Sequence, residues 1–161
     1  MIEGLSYIPS FLDADEQQTL LMQLEQLSYY HGSTGRTLTP AAPFPPFLTD
    51  LMERGCSVCL DPDPFNQCII TCYDAGSAIG WHTDAATFGD VIFGISVGAS
   101  ARLQFRAGKT AAVEFELGVQ SGSLYCIWVS LLYARCGSLE VPAPCAARHG
   151  HSLLFDVSHR S

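Results

Sequence analysis

The chain has 161 residues, of which 48% are hydrophobic and 15% charged. That length buries one sizeable core, so a single domain over 1–161 is expected, as a monomer, and disorder is excluded. A formal net charge of −8 argues against the broad basic footprint of a protein that grips a nucleic-acid backbone by charge, although Arg102, Arg106 and Lys109 make a local patch.

The first residues, Met-Ile-Glu-Gly-Leu, have neither the basic stretch nor the apolar stretch of a signal peptide. No run reaches the roughly 18 apolar residues of a membrane span. An intracellular protein, cytoplasmic or nuclear, with no membrane partner is the expectation. Seven cysteines in that setting are read as reduced thiols. Cys56 and Cys59 form a CxxC with no second pair and no βαβ context, so they too are read as ordinary buried or half-exposed thiols.

Asp13 followed by Glu16 reads as a capping box, and Leu20, Leu21, Leu24 and Leu27 then recur at helical spacing. The first helix is predicted over 14–27, its leucine stripe on a sheet. Gly, Ser, Thr and several prolines between His31 and Pro46 predict a long loop, a candidate binding loop or lid. A short helix over 47–54 follows, with Phe47, Leu48 and Leu51 as its apolar face. From about residue 66 the period becomes two. Strands are predicted over 67–73, 79–84, 90–97, 101–106, 112–117 and 123–129. Leu103 and Phe105 alternate with Arg102, Gln104 and Arg106; Val113, Phe115 and Leu117 alternate with Glu114 and Glu116. Residues 128–150 give no clean pattern, and 136–147, with Cys136 and Cys145, read as an inserted loop. Many short strands after N-terminal helices predict an α+β jelly roll, cupin-like in form, with the helices packed on one sheet.

The richest segment runs from Cys68 to Asp84. It places His82 and Asp84 two residues apart after a β-branched run and a turn at Gly76. On a strand, residues i and i+2 share a face. An imidazole and a carboxylate side by side can bind a divalent metal. A second, distant histidine completes the facial triad of non-heme Fe(II) oxygenases.

Residues 66–127 resemble the AlkB-like branch of the Fe(II)/2-oxoglutarate dioxygenases. The resemblance is carried by Tyr73-x-x-Gly76, Ile79-Gly-Trp-His82-x-Asp84, Phe88-Gly-Asp-Val, Ile95-Ser-Val-Gly98, Leu103-x-Phe-Arg106 and Gly122-Ser-Leu-Tyr125. The opening Tyr-Ile-Pro-Ser-Phe-Leu with its acidic helix is similar too.

This resemblance implies a double-stranded β-helix. It implies Fe(II) and 2-oxoglutarate as cofactors and dioxygen as co-substrate. His82, Asp84 and His151 would be the catalytic metal ligands, His151 lying in the family's His-Ser context. His149 is the runner-up, and His159 is read as a bystander. Tyr73 matches a tyrosine that reaches the distal carboxylate of 2-oxoglutarate. Thr71 stands where many relatives place an asparagine; it keeps a hydroxyl and lacks the amide. Arg160-Ser161 matches the start of an arginine-bearing strand whose continuation, with a second arginine, is missing, so the last strand reads as clipped.

The implied reaction is hydroxylation of an N-alkyl group, an oxidative demethylation, on an alkylated nucleobase in DNA or RNA, as in DNA repair. Trp81 and Phe88 are candidates to stack on such a substrate. The incomplete arginine motif and the insert favour an alternative, an impaired dioxygenase fold that acts as a binding module. An oxygenase for a protein or small-molecule substrate is a further alternative. A cupin-like zinc or nickel protein would hold metal without 2-oxoglutarate.

Overall fold

The structure is a computed structural model that describes residues 4–32, 35–38, 43–59, 65, 67–74, 76–82, 91–108, 110–128, 136–140 and 150–156. For 31–32, 35–38, 136–140 and 150–156 it describes the backbone alone. Its elements in chain order are β1 (Leu5–Ile8), α1 (Ala14–Glu25), β2 (Tyr30–Gly32), β3 (Gly35–Leu38), α2 (Pro46–Cys59), β4 (Ile69–Tyr73), β5 (Ala78–His82), β6 (Val91–Val97), β7 (Ala101–Arg106), β8 (Phe115–Val119), β9 (Ser123–Trp128), β10 (Cys136–Glu140) and β11 (Gly150–Asp156).

Two antiparallel sheets result. The main sheet runs β1-β9-β6-β11-β4-β3-β2 and the smaller one β5-β10-β7-β8. Alternation along each strand divides the apolar residues into two cores. On the outer face of the main sheet, Ile70, Phe93, Ile95, Val97 and Leu124 meet Leu20 and Leu24 of α1 and Leu48, Leu51 and Met52 of α2. Between the sheets lie Tyr73, Ile92, Leu103, Phe105, Val119, Tyr125 and Ile127. Both faces of β6 are therefore covered, and all seven of its residues are buried. The layers are helices, main sheet, small sheet: the α+β double-stranded β-helix that the pattern predicts.

α1 begins as its sequence dictates. Asp13 accepts from the Glu16 amide and Glu16 Oε2 accepts from the Asp13 amide, each at 2.9 Å. Glu16 Oε1 also accepts from Arg54 Nη1 at 2.7 Å, while Arg54 Nη2 reaches the Phe11 carbonyl at 3.1 Å. One arginine of α2 thus ties down the start of α1.

Several expectations are corrected. The second helix runs Pro46–Cys59, well beyond 47–54. It starts on proline, whose missing N–H costs nothing at a first helical position. It passes through Gly55, where a breaker is expected, because the Phe93 ring packs against the bare Cα: a Cβ built there would overlap the Cζ end of the ring. The predicted loop over 31–46 contains β3 and the end of β2, a short hairpin that extends β4 at the sheet edge. Glycine at Gly32 and Gly35 hides the alternation there. β1 pairs with β9, a strand too short and too close to the terminus to show a period. β8 starts at Phe115; Val113 precedes it and is exposed. The inserted loop over 136–147 contains β10, which pairs with β5 on one side and β7 on the other.

The thiol reading is corrected at Cys59. Cys59 at the end of α2 and Cys126 on β9 form a disulfide with Cα atoms 6.2 Å apart, inside the usual span. Both are buried. The partner lies 67 residues away in sequence, so only folding brings it near. Reducing this bond, or the variant Cys126→Ala, should cost about 2–4 kcal/mol through the freed unfolded chain. Urea melts with and without reductant measure it, and identical midpoints would contradict the assignment. Among the described residues no helix is long and apolar enough to cross a membrane.

Candidate active site

Tyr73 ends β4, and the chain turns at once into β5. Ser77 N–H and Ser77 Oγ both donate to the Asp74 carbonyl, at 3.0 and 2.6 Å. Gly76 sits at the third turn position with φ 81°, a left-handed backbone that side chains other than glycine resist. This explains the Tyr-x-x-Gly spacing.

β5 then carries a β-bulge. His82 pairs with Gly137 and Ile79 with Leu139, so three steps on β5 answer two on β10. Gly137 also pairs with Phe105, and Leu139 with Leu103. Residues directly opposite share a face, and both Leu103 and Phe105 point into the inter-sheet core. The extra residue therefore lets Ile79 and His82, three apart, both fall on the inner side. Strict alternation would have separated them.

The His82 ring is oriented by its own backbone: Nδ1 lies 2.8 Å from the Gly80 carbonyl oxygen. A carbonyl only accepts, so Nδ1 carries the proton. In the neutral ring Nε2 then carries the lone pair. Metal-binding histidines are commonly fixed in this manner by a carbonyl behind the ring. His82 is half-exposed, open enough for a ligand to reach it.

Thr71 and Tyr73 stand on the inner face of β4, both buried. Burial pushes the Tyr73 hydroxyl above its usual value, and a hydrogen bond from Thr71 pulls more weakly the other way. Tyr73 is thus a neutral donor at ordinary pH. The neutral form is the one the fold favours, so its contribution to stability is complete below the unfolded value of about 10 and is lost as pH rises through the higher folded value. In an alkaline absorbance titration, Tyr73 should ionise above the free-tyrosine range, and Tyr73→Phe should reduce the late amplitude by one tyrosine. A titration curve unchanged by the variant would contradict this environment.

One polar residue inside the barrel escapes a reading by motif alone. Ser96, within the buried run Val-Ile-Phe-Gly-Ile-Ser-Val, is 1% exposed. Its Oγ has no hydrogen-bond partner among the described residues. By backbone register it lines up with Ser123 on one side and Ser152 on the other, and Ser152 lines up with Thr71. A buried hydroxyl left unpaired costs about 1–3 kcal/mol. A polar ligand inside the barrel would relieve it, so the donor set of Tyr73, Thr71 and Ser96 fits a small carboxylate. The sequence signal was present: a lone hydroxyl in an otherwise apolar strand.

The other expected site residues are placed as follows. Asp84, His149, His159 and Arg160 lie outside the described residues, as do Phe88 and Lys109. For His151 the backbone is described: it occupies β11 opposite Cys72 and Val97, a register position shared with the helix-side core, whereas its neighbours Gly150 and Ser152 stand opposite the inner-face residues Tyr73 and Thr71. Its side chain lies outside what is described. Trp81, a candidate stacking residue, has the Arg106 guanidinium 4.0 Å from its ring centroid. Arg102 faces Glu116 at 3.9 Å, so the basic patch is partly neutralised. A cleft of about 380 Å³ bounded by Phe44, Met52, Cys56 and Phe65 lies on the helix side of the main sheet, away from Tyr73.

Residues 22–129 match the family model described as the 2OG-Fe(II) oxygenase superfamily. That span includes Thr71, Tyr73, His82 and Asp84 and stops before β10. No curated protein matches by sequence. Among solved structures, OsALKBH1 superposes with a TM-score of 0.73 at 12% identity, covering 98% of this chain and 99% of that one. A prolyl-4-hydroxylase from Pseudomonas putida gives 0.64 at 16% identity, covering 98% and 94%. The epimerase SnoN, in complex with Fe3+, alpha ketoglutarate and nogalamycin RO, gives 0.64 at 12%, covering 96% and 79%. At such identities these likenesses speak for the fold. With the family model spanning more than half of the sequence, the chain belongs to the 2OG-Fe(II) oxygenase superfamily: an oxidoreductase of the dioxygenase kind, with Fe(II) and 2-oxoglutarate as its cofactors.

Proposed function

We propose that this dioxygenase hydroxylates an N-alkyl group, with an alkylated nucleobase in DNA or RNA as its substrate. The observation that carries the reading is the set of His82, delivered to the inner side by the bulge and held by its Nδ1 bond to Gly80. His82, Asp84 and His151 would hold the metal, with His149 as runner-up for the third position. When bound, Fe(II) and 2-oxoglutarate supply dioxygen activation, 2-oxoglutarate being oxidised to succinate and CO2.

The chain's own residues orient and shield. Tyr73, kept neutral by burial, would donate a hydrogen bond to the distal carboxylate of 2-oxoglutarate; Thr71 and Ser96 line the same interior, and Arg160 would add a charge. The covered inter-sheet core keeps bulk water from that carboxylate. A charge-assisted bond of this type contributes about 1.5–3 kcal/mol. An N-methyl group hydroxylated beside the metal loses formaldehyde and leaves N–H. A base must leave its stack to reach such a site.

The test is incubation of the purified protein with Fe(II), 2-oxoglutarate and an N-methylated single-stranded oligonucleotide. Formaldehyde and succinate in equal amounts are expected. A second reading, a protein or small-molecule substrate, is favoured by the net charge of −8 and by Arg102 and Arg106 being engaged by Glu116 and Trp81. It predicts succinate uncoupled from any change in the oligonucleotide. No succinate under any condition would leave the impaired scaffold. His151→Ala losing Fe(II) while His149→Ala keeps it is the expected ranking of the late histidines; the reverse would move the third ligand to His149.

A further inference from the structure

We propose that Arg106 is a positioning residue for His82, acting through Trp81 to lock the bulge of β5. This role rests on the reading of His82 as a metal ligand, and it arises from the cost of a bulge. An extra residue breaks the ladder and leaves local backbone unpaired, so the aim of the following side chain depends on what pins the bulged residues. Here the register slips between Ile79 and His82, at Gly80 and Trp81. Among the described residues nothing lies within 4 Å of where a Cβ on Gly80 would stand, so their packing gives that position no support. The support comes from Trp81.

Arg106 lies on β7, two strands away across β10. It alternates with Leu103 and Phe105, so it belongs to the face of the small sheet turned from the core. Its Cζ stands 4.0 Å from the Trp81 ring centroid, close for a cation over an indole face. Arg106 Nε is buried and makes no hydrogen bond among the described residues. The ring, and not an acceptor, holds that part of the guanidinium. The stack therefore fastens Trp81 to the outer face. Since Trp81 precedes His82 directly, that anchor fixes the turn of backbone that carries His82 inward. It also fixes Gly80, whose carbonyl receives the Nδ1 proton of His82. Loosening the stack should let the bulge slide and blur the ring's aim without unfolding the barrel.

The experiment is anaerobic titration with Co(II), read by its ligand-field absorption, alongside thermal melts of the same proteins. Arg106→Ala should weaken Co(II) binding about ten-fold, in the range lost when an outer-shell partner of a metal ligand is removed. Arg106→Lys, which keeps a cation over the ring, should stay within about three-fold of the parent. Arg102→Ala, on the same strand and face, should change neither affinity nor melting temperature. His82→Ala should lose Co(II). If His82→Ala binds Co(II) as the parent does, the metal-ligand reading fails and takes this one with it. If His82→Ala loses Co(II) and Arg106→Ala does not, the positioning role alone fails. Equal losses in Arg106→Ala and Arg102→Ala would also overturn it, because a general effect of surface charge would then account for both.

Discussion

Replacing His82 by alanine should abolish Fe(II) binding and all turnover, while leaving the melting temperature within about 2 °C of the parent, as expected for a substitution away from the cores. Three arguments set the size of the effect. The side chain is half-exposed and belongs to neither core cluster, so its removal creates no buried cavity. Its orienting bond is to a carbonyl two residues back, so that bond joins no two elements. A metal ligand lost outright should cost more than the about 10–100-fold that follows loss of an outer-shell partner. Isothermal titration with Fe(II) under argon reads the loss directly. Binding lost together with the fold, or binding retained with a sound fold, would each contradict the role given to His82.

Phe93→Ala carries the largest expected effect on stability, about 3–5 kcal/mol, or a fall of roughly 6–20 °C in Tm for a chain of this size. The ring is fully buried, meets Phe65 edge-on at 4.4 Å between centroids, and fills the notch that Gly55 leaves in α2. Gly55→Ala alone should destabilise by about 1–3 kcal/mol, because its methyl and the ring cannot share the space. In the Phe93→Ala background the sign should reverse: the clash is gone, and alanine improves helix propensity by about 1 kcal/mol. Denaturant melts of the four proteins form a double-mutant cycle. Additive effects would contradict the claim that the Phe93 ring packs directly on Gly55.

How much of this was legible in the sequence depends on whether the signal is local. The Asp13–Glu16 box, the leucines of α1 and the alternation in β7 depend on neighbours within a few residues, and they read directly. β10 did not, because a strand held between two partners needs little alternation of its own, and Gly137 and Ser138 gave none. The β2–β3 hairpin was hidden by its glycines. The helix through Gly55 looked broken because the reason for that glycine, the Phe93 ring, lies in another element. The Cys59–Cys126 disulfide and the bulge of β5 are likewise products of tertiary contact. For the site, the spacing of His82 and Asp84 and the Tyr73–Gly76 turn pointed to the chemistry. What spacing could not show is that His82 reaches the inner side through a break in alternation.

The most direct measurement of the central claim is the absorption spectrum of the anaerobic protein with Fe(II) and 2-oxoglutarate added singly and then together. The account predicts a charge-transfer band only when both are present, saturating at one equivalent of each, weakened in Tyr73→Phe and absent in His82→Ala. Admitting oxygen should discharge the band with formation of succinate. A spectrum with both additions equal to the sum of the separate ones, and no succinate after oxygen, would contradict it.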